Sequence, residues 1–494
     1  MASELIELDA SDLLKGYVER TFSPVEVVEA CLNRIEETDH ELKAVVTGTG
    51  SAAREQAKSS ERRYLAKTAR PLEGVPYGLK DIVATAGTRT TGASVIYGEY
   101  VPDVSATVHT RIDEAGGVLL GKLNTFPFAL GSESDETFGP ARNPWDVQRT
   151  TGGSSAGSAA AIAARQMPLA IGTDTGGSIR LPASWCGISG LKPTTGRVPT
   201  TGVMPLAWSL DTVGPMARSA EDLARLLGVV AGADGVDHGA YDAPVPEYVR
   251  ALSDGIAGLR FAVPAPWFQE RCDPDVVAAT EAAAEVFAQL GAERVEVALP
   301  KVPLSMAMGW TVMLAELGSA HECHLDRIDA FDPSFAAYLR QSDFVTAHEY
   351  LRCMRARAVL QQDFAGAFED VDVLVVPAVG AVAPPLDGMT VEIGDETAGW
   401  LEIAARNTFV FNLTGMPALT IPAGLGRQGL PIGVQVAAAP WREDLCLRFG
   451  HAFQQATAFH RQGPGDPTPG DLTPGDLTAV HRATDNDRLE GEAS

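Results

Sequence analysis

The run TTGGSSAGSAAAIAARQMPLAIGTDTGGSIR, residues 150–180, constrains the fold more than any other part of this chain. It holds two glycine–serine clusters, Gly152-Gly153-Ser154-Ser155 and Gly176-Gly177-Ser178, set 24 residues apart. Between them, residues 155–165 read as a helix of small side chains. Residues 169–172 read as a short apolar strand that runs into the second glycine loop. A glycine ahead of a serine lets the backbone turn sharply and brings amide N–H groups up to a reacting oxygen. The first cluster also opens a helix, where N–H groups and the helix dipole favour negative charge.

A serine is a weak nucleophile until a base takes its proton. No histidine lies between His109 and His238, and the chain has only eight lysines. One of them, Lys80, stands among apolar residues in GVPYGLKDIV, where residues 74–86 read as a turn and a strand. A lysine carried into the core on a strand loses solvation, its pKa falls, and the neutral amine can act as a base. Strand alternation would send the neighbouring Asp81 to the opposite face. A single lysine is ordinarily a solvated surface charge; the two glycine–serine clusters are what favour the buried alternative.

Strands and helices alternate along the rest of the chain. Ser23 followed by Pro24 predicts a capped helix with Val28, Leu32 and Ile35 on one face. Residues 276–290 and 346–368 read as further helices, and residues 259–263, 294–299 and 371–376 as strands. The nearly uncharged stretch 407–440 reads as buried strands and turns. This pattern predicts one α/β domain with helices covering both faces of a sheet. No linker interrupts residues 1–462. Residues 463–494 differ: PGDPT, PGDLT and PGDLT repeat in sequence, and the stretch is acidic and poor in apolar residues, which predicts a flexible tail.

The chain resembles the amidase signature family. The likeness rests on GGSSAGSAAAIAA…LAIGTDTGGSIRLPASWCGISGLKPTTGRV. It extends to GVPYGLKDI and GKLNTFPFALGSES…FGPARNPWD upstream, and to FNLTGMPALTIPAG and GLPIGVQV downstream. An ordered set of motifs over most of residues 5–462 is far more specific than a lone short pattern. The resemblance implies a single domain built on a central mixed, twisted sheet flanked by helices. It implies a triad in which Ser178 is the nucleophile, Ser154 a bridging serine after a cis Gly153–Ser154 peptide, and Lys80 the base. Backbone N–H groups at Thr175, Gly176 and Gly177 become the expected oxyanion hole. Ser155, Asp174 and Arg180 become supporting residues, the last two as an ion pair clamping the loop. No metal or organic cofactor is implied.

The implied activity is hydrolysis of a small amide, anilide, carbamate or ester through an acyl-enzyme. The alternative is the catalytic A subunit of a glutamine-dependent tRNA amidotransferase. Arg357 falls near the arginine that such proteins use for the glutamine carboxylate. Where they carry an acidic residue after an aromatic, however, this chain has Arg442, and TTGVMPLAWSLDTVGP looks more like a free-standing amidase. Phe126, Phe128, Met204, Trp208, Trp310, Met313, Met389 and Trp400 lie in the variable regions expected to form the pocket, which points to an apolar or aromatic substrate group.

Charge and cysteines add exclusions. Lys plus Arg number 39 against 64 Asp plus Glu, a net charge of −25. Such a surface repels nucleic acid and anionic membranes, so the expectation is no nucleic-acid or membrane partner; the resemblance implies a small-molecule amide, ester or carbamate substrate and a homodimer. The N-terminus carries no apolar export segment and the six cysteines form no CxxC pair, which predicts a cytoplasmic protein with reduced thiols. Gly153–Gly157 also fits the G-x-S-x-G elbow with Ser155 as nucleophile and His451 or His460 as base, but the approach NPWDVQRTTG lacks the apolar strand that an elbow needs. His321 and His324 share a helical face with no second ligand cluster in view.

Overall fold

Short apolar runs bounded by turn residues become the strands of one mixed sheet, in a computed structural model that describes residues 2–131, 138–393 and 396–465. Eleven strands take part: β1 Val45–Gly48, β2 Pro76–Lys80, β3 Val118–Leu123, β4 Leu169–Asp174, β5 Ser189–Lys192, β6 Thr212–Ala217, β7 Arg260–Ala262, β8 Glu293–Arg294, β9 Val373–Pro377, β10 Ala418–Leu425 and β11 Pro431–Ala438. Their spatial order is β1-β3-β2-β4-β6-β5-β10-β11-β9-β7-β8. β3, β2 and β4 run parallel to one another, as do β9, β7 and β8; the other neighbours are antiparallel. Helices cover both faces, so the chain forms a single α/β domain around a large mixed sheet.

Side-chain alternation assigns the faces. Tyr77 and Leu79 of β2, with Leu169 and Ile171 of β4, pack on one side against Val108 and Ile112 of the helix Thr107–Glu114 and Leu223 and Leu227 of the helix Ala220–Val230. Ala170 of β4 and Leu120 of β3 face the other side, where Ala159 and Ile162 meet Val28 and Cys31. Lys80 closes β2 on that second face.

The helix Ala156–Ala163 explains the small residues of the central run. All eight of its residues are buried, so it has no solvent face, and bulk anywhere would collide. A Cβ on Gly157 would lie 2.4 Å from both the Ala44 carbonyl oxygen and the Asn124 nitrogen, two backbone atoms that cannot swing aside. The Pro24–Leu42 helix is capped as its sequence predicts, with the Ser23 hydroxyl accepting the Glu26 N–H and the Glu26 carboxylate accepting the Ser23 N–H.

Two segments differ from expectation. Of residues 294–299 only Arg294 belongs to a strand, β8 at the sheet edge; Val295 adds one last ladder bond, its N–H donating to the Phe261 carbonyl at 2.8 Å, and Val295 and Val297 pack against the second core cluster. In the stretch 407–440, a helix Phe409–Thr414 precedes β10. Its apolar run is fully buried, and periodicity alone does not separate a short buried helix from a strand. The tail expected from residue 463 lies outside the described residues beyond 465. Among the described residues, no helix is long and apolar enough to cross a membrane.

Replacing Gly157 with alanine is expected to destabilise the fold by roughly 1–3 kcal/mol, because the added methyl meets backbone on two sides. Chemical denaturation of the purified variant measures this as a lowered midpoint with an unchanged slope.

Candidate active site

β2, β4 and the two glycine–serine loops deliver their polar side chains to one place. Lys80 is fully buried at the end of β2, and its Nζ donates to Ser154 Oγ at 2.7 Å and to Thr173 Oγ1 at 2.9 Å. Neither partner is charged. Burial lowers the Lys80 pKa to about 7, against the opposing pull of the Asp174 and Asp211 carboxylates. Near neutral pH a large fraction of this amine is therefore uncharged. The Gly153–Ser154 peptide is cis. Ser154 and Ser178 line the same cavity, of about 540 Å³, and the Ser178 hydroxyl makes no hydrogen bond among the described residues. It stands open to a substrate, in keeping with catalytic hydrogen bonds that tighten only once substrate is bound.

The loop carrying Ser178 is held from below by Asp174 at the end of β4. One carboxylate oxygen accepts the Gly177 N–H at 2.8 Å and the other accepts the Ile179 N–H at 3.1 Å. Arg180 closes on the same carboxylate through Nη2 at 2.8 Å and Nε at 3.0 Å, and both side chains are fully buried. Burial works to raise the Asp174 carboxyl, but Arg180, Lys192 and Asn412 outweigh it and hold it well below the usual carboxylate range. Gly177, at φ +130°, takes a backbone shape that disfavours other residues, and a Cβ there would lie 2.4 Å from Thr408 Oγ1. Its N–H is already engaged by Asp174; Thr175 and Gly176 line the cavity beside Ser178.

Ser155 ties the two loops together. Its hydroxyl donates to the Thr173 carbonyl and accepts the Thr173 N–H, and its own N–H donates to the Ser178 carbonyl at 3.2 Å. It does not act as an elbow serine: the strand entering the cluster, Asp146–Thr150, pairs with Arg142–Asn143 outside the main sheet. His321 and His324 sit in an aromatic cluster with Phe128 and Phe331, where burial lowers the His321 pKa to about 4.

Four of the eight expected pocket residues, Phe126, Trp310, Met313 and Trp400, line the cavity. Phe128 instead joins the aromatic cluster, Met204 and Trp208 line a second cavity next door, and Met389 is absent from the wall. Several site residues carried no sequence signal of their own. Thr173 is the second acceptor for Lys80, Thr408 donates to the Gly176 carbonyl at 2.5 Å, and Asn412 and Gln435 accept from Arg180.

The amidase family profile matches residues 26–447. The chain belongs to the amidase family. It is 39% identical to the A subunit of the glutamyl-tRNA(Gln) amidotransferase of Geobacter metallireducens, across 94% of this chain and 100% of that protein. Among solved structures, one described as a vestigial protein complex revealing the evolutionary origins of an s-triazine catabolic enzyme matches with a TM-score of 0.87 and 34% identity, over 91% of this chain and 98% of that one. 6-Aminohexanoate cyclic dimer hydrolase matches with a TM-score of 0.84 and 28% identity, over 93% and 99%. The chain is thus a hydrolase of the amidase signature class, acting on C–N bonds.

These relatives overturn one expectation. Net charge and the resemblance together argued for a small-molecule substrate with no nucleic-acid partner, yet an amidase relative this similar is named as one component of an enzyme of glutamyl-tRNA(Gln). Net charge sums a whole surface. It carries no information about partner chains, which can supply the basic contacts that this chain lacks.

Replacing Arg180 with leucine leaves the Asp174 carboxylate buried without its counter-charge, a change expected to cost about 3–5 kcal/mol. Thermal unfolding should show a large loss of stability, whereas Arg442→Leu, which breaks only an exposed pair with Asp444, should leave the melting temperature nearly unchanged.

Proposed function

We propose that the chain hydrolyses a carboxamide through an acyl-enzyme on Ser178. The observation that carries this is the buried Lys80 amine 2.7 Å from Ser154 Oγ, on the wall of the cavity that Ser178 also lines. Neutral Lys80 takes a proton from Ser154 as Ser154 takes one from Ser178, and the Ser178 oxygen attacks the amide carbon. N–H groups of Thr175 and Gly176 stabilise the oxyanion. Ser154 then returns a proton to the leaving amine, and water cleaves the acyl-enzyme. A carbamate or ester carbonyl fits the same steps.

The cavity favours an uncharged, apolar acyl group. Phe126, Leu181, Trp310, Met313, Trp400 and Phe409 dominate its wall, and among the described residues none that lines it carries a charged side chain. A glutamine substrate needs partners for its carboxylate and ammonium. Arg357 is occupied elsewhere, with Nε donating to the Leu413 carbonyl at 2.6 Å and Nη2 to the Ser209 carbonyl at 2.9 Å, and Arg442 pairs with Asp444.

The second reading is the catalytic component of an amidotransferase, which releases ammonia from glutamine with the help of partner chains. The likeness to the Geobacter metallireducens amidotransferase component over that protein's full length supports it, and supports it more directly than any particular free-standing amidase.

The purified chain is expected to hydrolyse p-nitroanilides of medium-chain or aromatic acids without added partners, and to leave glutamine untouched. Inertness alone, with glutaminase activity appearing once the other amidotransferase chains are added, would sink the first reading and support the second. A fluorophosphonate should label wild-type and Ser155→Ala protein but not Ser178→Ala. Because Lys80 acts as a base only when neutral, kcat/KM should fall as pH drops through about 7; a rate flat to pH 5 would count against Lys80.

A further inference from the structure

Asp211 stands just ahead of β6 and takes no part in the steps above, yet it touches two walls of the site. One carboxylate oxygen accepts the Thr175 hydroxyl at 2.5 Å. The other accepts the N–H groups of Leu206 at 2.9 Å and Ala207 at 3.0 Å. Three donors on two oxygens is the environment of an ionised carboxylate. Thr175 and Leu206 both line the cavity at Ser178, and both also line the adjoining cavity of about 390 Å³, where Asp211 lies. The next residue, Thr212, is in register with Asp174, the residue that anchors the nucleophile loop. Backbone pairing and side-chain hydrogen bonds therefore converge on the same short loop.

We propose that Asp211 is a positioning residue that fastens the oxyanion loop at Thr175 to the acyl-binding wall at Leu206. The proposal rests on the reading of Ser178 as nucleophile. The clamp fixes where the Thr175 N–H points before substrate arrives, and a preorganised donor is worth far more than one that must turn into place. It also links the two halves of the site, since an acyl group pressing on Leu206 bears on the same carboxylate that holds Thr175.

Asp211 has an electrostatic effect as well. Two acidic groups face the Lys80 amine, Asp174 from the end of β4 and Asp211 from the loop before β6, and both favour its protonated form. Burial raises the Asp211 carboxyl, its three donors oppose the rise, and Glu316 of the helix Ser305–Ala320, which accepts from the Ser209 N–H and the Tyr350 hydroxyl, adds to it. Removing the Asp211 charge should make Lys80 easier to deprotonate, while removing only the Thr175 hydroxyl should not.

The test follows the rate of Ser178 phosphonylation by a fluorophosphonate against pH, in wild type, Asp211→Asn and Thr175→Val, alongside melting temperatures. Both variants are expected to lower the high-pH plateau about tenfold, the scale of a weakened oxyanion donor. Asp211→Asn should also move the acid limb to lower pH, and Thr175→Val should leave it in place. Wild-type plateau and limb in folded Asp211→Asn, with only the melting temperature reduced, overturn the clamp. If Asp211→Asn does not fold, an unchanged plateau in Thr175→Val overturns it equally. Labelling of wild-type protein that maps away from Ser178 overturns the acyl-enzyme reading and the clamp together, whereas Ser178 labelling with unaltered variants overturns the clamp alone.

Discussion

The buried pair of Asp174 and Arg180 is the interaction on which the rest of the site depends. Its value is geometric more than energetic, since a buried ion pair recovers little beyond the desolvation of its members. Asp174 gathers the N–H groups of the nucleophile loop, and Arg180 reaches from that carboxylate to Asn412, Gln435 and the Thr408 carbonyl. Asn412 donates back to Asp174, and Thr408 holds the Gly176 carbonyl. Residues more than two hundred positions apart are thereby locked around one short loop.

Lys80 is the counterpart of that pair, a buried amine with no carboxylate in contact, which burial makes easy to deprotonate. Two other lysines in the same sheet show what the surroundings decide. Lys122 on β3 lies 3.3 Å from Asp81, which opposes the effect of burial and leaves its pKa at about 8. Lys192 on β5 donates to the Pro193 carbonyl, and burial together with Arg180 brings it to about 7. Neither is among the residues lining the serine cavity. Of the three, Lys80 alone donates to Ser154, so only there does a depressed pKa meet a serine hydroxyl.

Much of this was legible in the sequence, for a physical reason. The glycine–serine clusters and the lysine strand each encode a local backbone shape, and local shape is written in adjacent residues. The fold class followed from alternating periodicity. What escaped was written across distance. Thr173, Thr408, Asn412 and Asp211 are unremarkable as residue types and gain their roles only when strands far apart in sequence lie side by side. The aromatics show the same limit: Phe126 and Phe128 are two residues apart, yet one lines the cavity and the other fills the core. Net charge misled because it has no spatial content at all.

The wholly buried helix Ala156–Ala163 divides the molecule's freedom unevenly. Hemmed in on every side, this segment has almost no tolerance for altered volume. The cavity wall contributed by Trp310, Tyr338 and Trp400 comes from later, more loosely constrained parts of the chain. The cavity wall is thus shared between the early half of the chain, through Phe126, Leu181 and Leu206, and these later stretches. A library aimed at new substrates can vary Trp310, Tyr338 and Trp400 while leaving residues 150–180 and their distant supports Thr408, Asn412 and Gln435 untouched. Relatives as unlike as a hydrolase of a cyclic dimer and one component of a tRNA-linked enzyme resemble this chain over most of its length.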